Sequence, residues 1–199
     1  MLRNGHRIIS FLISAVLLGS LAGATFARNR IWHDTASLWL NSAEGSAAKR
    51  GPDHVAFIFL GAGQKFAGDG QARKAIEQFR KALALKPDLA EAYFDLGLVY
   101  GQLEQYDRAI EEFHRVLALD PEYEGVHYAA GLAFAQKGEY DRAVEEFTGA
   151  IDADPEFAQI YVNRGLAYAR SGKPGPALSD FQKACALGDV QGCEALKKN

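Results

Sequence analysis

A fixed period of 34 residues constrains the fold of this chain more than any other feature. The stretch LGLVYGQLEQYDRAIEEFHRVLALDPEY, from Leu96, returns as AGLAFAQKGEYDRAVEEFTGAIDADPEF, from Ala130. The same frame extends both ways. It aligns Gly63, Gly97, Gly131 and Gly165; Ala75, Ala109, Ala143 and Ala177; Phe79, Phe113, Phe147 and Phe181. Pro87, Pro121 and Pro155 form a further column that the last copy lacks. Four copies fill residues 56–89, 90–123, 124–157 and 158–191. A period of this size marks a stacked array of small units, none of which buries its own apolar face alone.

Within a copy, each column has a physical role. Phe59, Tyr93 and Tyr161, with Phe66, Tyr100, Phe134 and Tyr168 seven residues on, make one stripe of a first helix. The Gly and Ala columns are where two helices approach closely, and the Phe column fills the space between a pair and its neighbour. Gly70, Gly138 and the Tyr-Asp pairs at 106–107 and 140–141 mark the turn. Asp107 and Asp141 are expected to cap the second helix. Proline then stops that helix. In the last copy, Pro176 is tolerated if it stands in the first turn of its helix.

The order aromatic, Gly, aromatic, Ala, Phe, Pro over 34 residues resembles the tetratricopeptide repeat. The resemblance implies an all-α, right-handed solenoid of four helix-turn-helix repeats, to which the chain adds an N-terminal hydrophobic helix and a C-terminal capping helix over 189–199. Departures are small: His127 stands in the first aromatic column, and Arg164 replaces the apolar residue before Gly165.

The first 27 residues differ from the rest. Ile8 to Phe26 carries no charge and is flanked by Arg3, Arg7, Arg28 and Arg30. Nineteen helical residues span roughly 28 Å, close to the ~30 Å hydrocarbon core of a bilayer. Residues 8–26 therefore read as a membrane anchor, or as a signal peptide cleaved near Ala22-Gly23-Ala24. The flanking arginines do not decide orientation. Residues 28–55 read as a linker helix that Asp34 or Thr35 caps and that carries Trp32, Leu38, Trp39 and Ala43. This linker looks like the segment joining the last membrane helix to the repeats in polytopic glycosyltransferase-like membrane proteins. That implies repeats on the extracytoplasmic side, periplasmic or extracellular, but no transferase activity, since that part is absent here.

Site chemistry is sparse. The histidines His6, His33, His54, His114 and His127 are scattered and show no metal-ligand spacing. The glycine-rich GAGQKFAGDG has no Lys-Ser/Thr to hold phosphate and belongs to a first helix. Glu111-Glu112 and Glu145-Glu146 recur at one repeat position and read as a solvated outer face. A net charge of −3 gives no footprint for nucleic acid. No catalytic residue, metal or cofactor is expected.

Both cysteines lie close together, Cys185 in the last turn of the final second helix and Cys193 one turn into the terminal helix. The tight Gly188-Asp189 turn between them can bring the Cα atoms within disulfide range. The C-x7-C spacing also resembles the bridged hairpins of Sel1-like repeat proteins, which implies a staple. Two buried reduced thiols are the other reading.

The chain thus reads as a non-enzymatic interaction scaffold, or alternatively as an accessory of an envelope enzyme. By resemblance, the concave wall comes from fixed positions of the first helices: Leu60, Phe94, Tyr128 and Val162, then Gln64, Leu98, Leu132 and Leu166 one turn on. Asp95, Gln102, Gln136, Asn163 and Arg170 flank them. The Lys and Asn with which chaperone-binding members clamp a carboxylate are missing from these positions. The rings of Phe94 and Tyr128 are expected to reach the groove, and the three leucines to pack mainly on neighbouring helices. The expected occupant is a protein or peptide segment, with the Trp32–Trp39 helix or a second copy of the chain as alternatives.

Overall fold

The computed structural model describes residues 51–198, within which nine α-helices and no strands occur. They are α1 (Pro52–Gly68), α2 (Ala72–Leu85), α3 (Ala90–Gln102), α4 (Tyr106–Leu119), α5 (Val126–Lys137), α6 (Tyr140–Ala153), α7 (Ala158–Arg170), α8 (Pro174–Ala186) and α9 (Val190–Lys198). Helices α1–α8 form four hairpins. Each hairpin packs on the next through its second helix, and the first helices of neighbouring pairs also touch. This is a repeat solenoid with a main core running from Leu60 to Ala167 and a smaller apolar cluster at either end. The membrane-anchor or signal reading of 1–27 and nearly all of the linker helix lie outside the described residues. The linker's last residues, from Pro52 on, belong to α1. Among the described residues no helix is long and apolar enough to cross a membrane.

The Gly and Phe columns account for the pairing. A Cβ built on Gly97 would stand 2.5 Å from Phe113 Cε1, and one on Gly131 2.7 Å from Phe147 Cε1. Only hydrogen at that position lets the ring lie flat against the first helix. Phe79, Phe113 and Phe147 are fully buried as a result.

The turns are equally regular. In each repeat the residue at position 70, 104, 138 or 172 has a left-handed backbone. The next residue donates its N–H back to the aromatic column: Gln71 to Phe66, Gln105 to Tyr100, Glu139 to Phe134 and Lys173 to Tyr168, at 2.8–3.0 Å. This is the Schellman stop. Three of the four repeats use glycine there, and the second uses Glu104, with φ 58°.

The capping expectation is corrected. Helices α4 and α6 begin at Tyr106 and Tyr140, one residue ahead of the aspartates, and neither has a side-chain cap. Asp107 and Asp141 lie inside the first turn and reach across to Lys137 (2.6 Å) and Lys173 (2.8 Å) of the next repeat. Pro174 opens α8 and Pro176 lies in its first turn, where no backbone N–H is missed.

Candidate functional site: the groove of the first helices

The wall is built by α1, α3, α5 and α7. Of its first column, Leu60 and Val162 are 4% and 2% exposed, so neither presents a surface to a partner. Leu60 is shorter than the rings at the equivalent places and stays within the main core. Val162 is buried with Tyr161 and Ala184 where α9 packs on α7 and α8. Phe94 and Tyr128 are half-buried. The ring of Phe94 lies 5.9 Å from Phe113 and 5.2 Å from Tyr123, and that of Tyr128 lies 6.0 Å from Phe147 and 5.6 Å from Phe157.

The second column reverses the expectation. Leu98, Leu132 and Leu166 are 40%, 36% and 49% exposed. The cause is the size of the neighbours. Beside the inter-repeat loops, Tyr123 and Phe157 fold against the aromatic column. One turn further, the facing residues are Gly97, Gly101, Ala129 and Ala133, too small to cover a leucine. They bound with Leu98, Leu132, Tyr128 and Gln136 an open cavity of about 440 Å³. Leu166 borders a second cavity of about 360 Å³ beside Val162, Phe181 and the α9 residues Gln191, Glu194 and Ala195.

Polar residues edge this strip. Gln64 donates from Nε2 to Glu91 and Asp95, 2.9 Å each, linking the first two repeats. Burial pushes the Asp95 carboxyl up, against the pull of the Gln64 hydrogen bond, and Glu91 adds to the rise. Asn163 donates to the Tyr128 hydroxyl at 2.9 Å, linking the last two. Gln102, Gln136 and Arg170 are exposed at the far end.

A polar column on the second helices, buried at three places and partly buried at Glu146, escaped the sequence reading. Gln78, Glu112, Glu146 and Asp180 are spaced by the repeat, each next to the Phe column, and all turn inward. The outer-face expectation therefore holds for Glu111 and Glu145 but not for Glu112 and Glu146. Three of the four repeats satisfy the position, each differently. Glu112 accepts from Arg115 (2.8 Å), Glu146 pairs with His127 Nδ1 (2.9 Å), and Asp180 accepts two bonds from Arg164. Gln78 Oε1 has no hydrogen-bond partner. The signal was available: a polar residue fixed beside an invariant Phe in four copies.

Cys185 and Cys193 lie within disulfide distance, their Cα atoms 4.6 Å apart. Gly188 takes the left-handed turn (φ 90°) and Asp189 Oδ1 caps α9 by accepting from Gly192 N at 2.9 Å. Among the described residues no three His, Cys, Asp or Glu side chains gather as a metal site.

A row of exposed leucines on stacked helical hairpins defines a helical-repeat protein. Sequence comparison agrees. A TPR repeat model matches residues 63–104 and 131–172, and Tetratricopeptide repeat models match 90–123 and 158–187. Together they cover more than half of the chain, which belongs to the tetratricopeptide repeat family. No curated protein matches it. Solved structures of MamA are similar. One crystal structure of MamA is 27% identical, with a TM-score of 0.68 over 77% of this chain and 88% of that one. A second is 25% identical, with a TM-score of 0.65 over 81% and 96%. MamA of Desulfovibrio magneticus RS-1, from residue 41 to its end, shares the fold at 23% identity (TM-score 0.63, 78% and 96% covered).

Proposed function

We propose that this chain is a non-enzymatic scaffold that holds an apolar segment of a partner protein along α3, α5 and α7. The observation that carries this reading is the row Leu98, Leu132 and Leu166, left exposed at equivalent places on three adjacent helices. Leucines in register on one wall suit an amphipathic partner segment that offers apolar side chains at intervals. Family membership and the likeness to MamA support an interaction role.

The domain is further proposed to be exported and held at a membrane by residues 8–26, or released after cleavage. The apolar N-terminal stretch and the cysteine pair at disulfide distance support this.

The groove is tested by capturing partners on the full-length chain and on L98Q/L132Q. Both leucines are exposed, so the variant keeps its melting temperature. Loss of a partner from this variant, but not from E111Q/E145Q on the outer face, is the expected result. Retention of every partner by the groove variant, with losses on the outer face, overturns it.

A further inference from the structure

The groove has a second compartment at its loop edge. Between the α4–α5 and α6–α7 connections lies a cavity of about 470 Å³. Its apolar walls are the rings of Tyr123, Tyr128 and Phe157 with Ile160, and its polar walls include Glu124 and Asp154. Phe157 is 46% exposed although its ring meets that of Tyr128 in an edge-type contact, centroids 5.6 Å apart.

Besides His127, whose Nδ1 pairs with Glu146 at 2.9 Å, the ionisable side chains lining this compartment are acidic or phenolic. Residues 120–124 carry Asp120, Glu122 and Glu124, and residues 152–156 carry Asp152, Asp154 and Glu156, with no Lys or Arg in either run. Of these, Glu124 and Asp154 line the cavity, so each of the two connections contributes one carboxylate to its wall. Asp120 and Asp154 each accept a loop N–H, from Glu122 and Glu156 at 3.1 Å, which fixes their placement without neutralising them. The neighbouring Tyr123 lies mainly in the field of two α3 carboxylates. Its hydroxyl is raised by burial first, and then by Glu91, Asp95 and Asp120.

We infer that this aromatic, acid-rimmed compartment takes a lysine or arginine side chain of the partner segment, which is therefore basic as well as apolar. The inference rests on the groove being the docking strip. The stem of such a side chain packs on Phe157, Tyr128 and Ile160, and its charged head reaches Asp154 and Glu124. Rings beside carboxylates favour a cation over a neutral group, through both the quadrupole of the ring and direct attraction. An acidic segment is repelled here. A purely apolar one gains nothing from the rim.

The test uses the full-length chain in mild detergent and fluorescein-labelled peptides of alternating lysine and leucine, or glutamine and leucine, read by anisotropy. The lysine peptide is expected to bind at least tenfold tighter, and to weaken as salt screens the rim. E124Q/D154N is expected to abolish that preference. It keeps the loops folded, because asparagine still accepts the Glu156 N–H. F157A is expected to weaken the lysine peptide several-fold. Equal affinity for both peptides, no binding by either, or a preference that survives E124Q/D154N overturns the inference. Equal binding that L98Q/L132Q abolishes leaves the groove standing without the rim. Lysine-peptide binding that ignores L98Q/L132Q leaves the rim and removes the groove.

Discussion

Arg164 and Asp180 are joined by two hydrogen bonds, Nη2 to Oδ1 at 2.8 Å and Nε to Oδ2 at 2.9 Å, between α7 and α8. Both side chains are largely buried, and Arg164 also donates to Thr148 of the preceding repeat at 3.0 Å. One arginine thus ties three helices at a place where the other repeats put an apolar residue. R164A removes the cation and leaves Asp180 buried and unpaired, which costs about 3–5 kcal/mol. R164L/D180L costs much less, because no charge is stranded. Chemical denaturation of both variants checks the order. A single variant no worse than the double contradicts it.

Glu104 holds a left-handed backbone where three repeats place glycine. That conformation costs a β-carbon residue roughly 1 kcal/mol. E104G is therefore expected to stabilise the chain by about that amount, and G138A, at the equivalent turn, to destabilise it similarly. Thermal melts that move the same way for both substitutions contradict this account.

Gly131 is a steric case and not a conformational one. A Cβ there meets the buried Phe147 ring at 2.7 Å, and the ring has no room to move. G131A is expected to cost about 1–3 kcal/mol by overpacking, and G131A/F147L to recover part of it. Absence of recovery in the double variant, read by urea unfolding, counts against direct contact as the cause.

Burial pushes the Glu112 carboxyl up, only partly offset by its neighbour Arg115. An acid whose folded pKa exceeds its unfolded one binds more protons in the native state between the two values. Stability from this group therefore falls as pH rises from its ordinary value through its raised folded one. E112Q removes that slope. It is expected to be at least as stable as the parent at pH 7 and relatively less favoured at acid pH. A pH series of unfolding free energies with an unchanged slope is the contrary outcome.

Cys185 and Cys193 stand at disulfide distance, and a bridge between them would close a short loop, so the stabilisation lost on reducing it is at most the ~3 kcal/mol typical of a 15-residue loop. Reduction is expected to fray α9 and uncover Val162, while α1–α6 keep their protection. Hydrogen exchange resolved by peptide tests this, and uniform loosening of all repeats would contradict it.

The 34-residue register determined the helix pairs and the turn positions. These depend on neighbours within one repeat or one frame-shift away, and a periodic chain writes that information four times. The Phe column, expected between a pair and its neighbour, packs instead on the glycine of its own pair. The groove was legible as a set of positions but not as a surface. Whether Leu98 or Phe94 faces outward depends on what stands opposite: Gly101 and Ala129 beside the first, Tyr123 from the next loop against the second. Likewise Glu111 and Glu112 are indistinguishable as adjacent acids, until the packing of one hairpin on the next turns Glu112 inward and leaves Glu111 in water. Asp107 looks like a helix cap by composition. Its helix starts one residue earlier, because the Schellman turn ending α3 sets where α4 begins, and the freed carboxylate pairs with Lys137 instead. Exposure and pairing across repeats are set by the angle and distance between stacked hairpins, which only the tertiary structure decided.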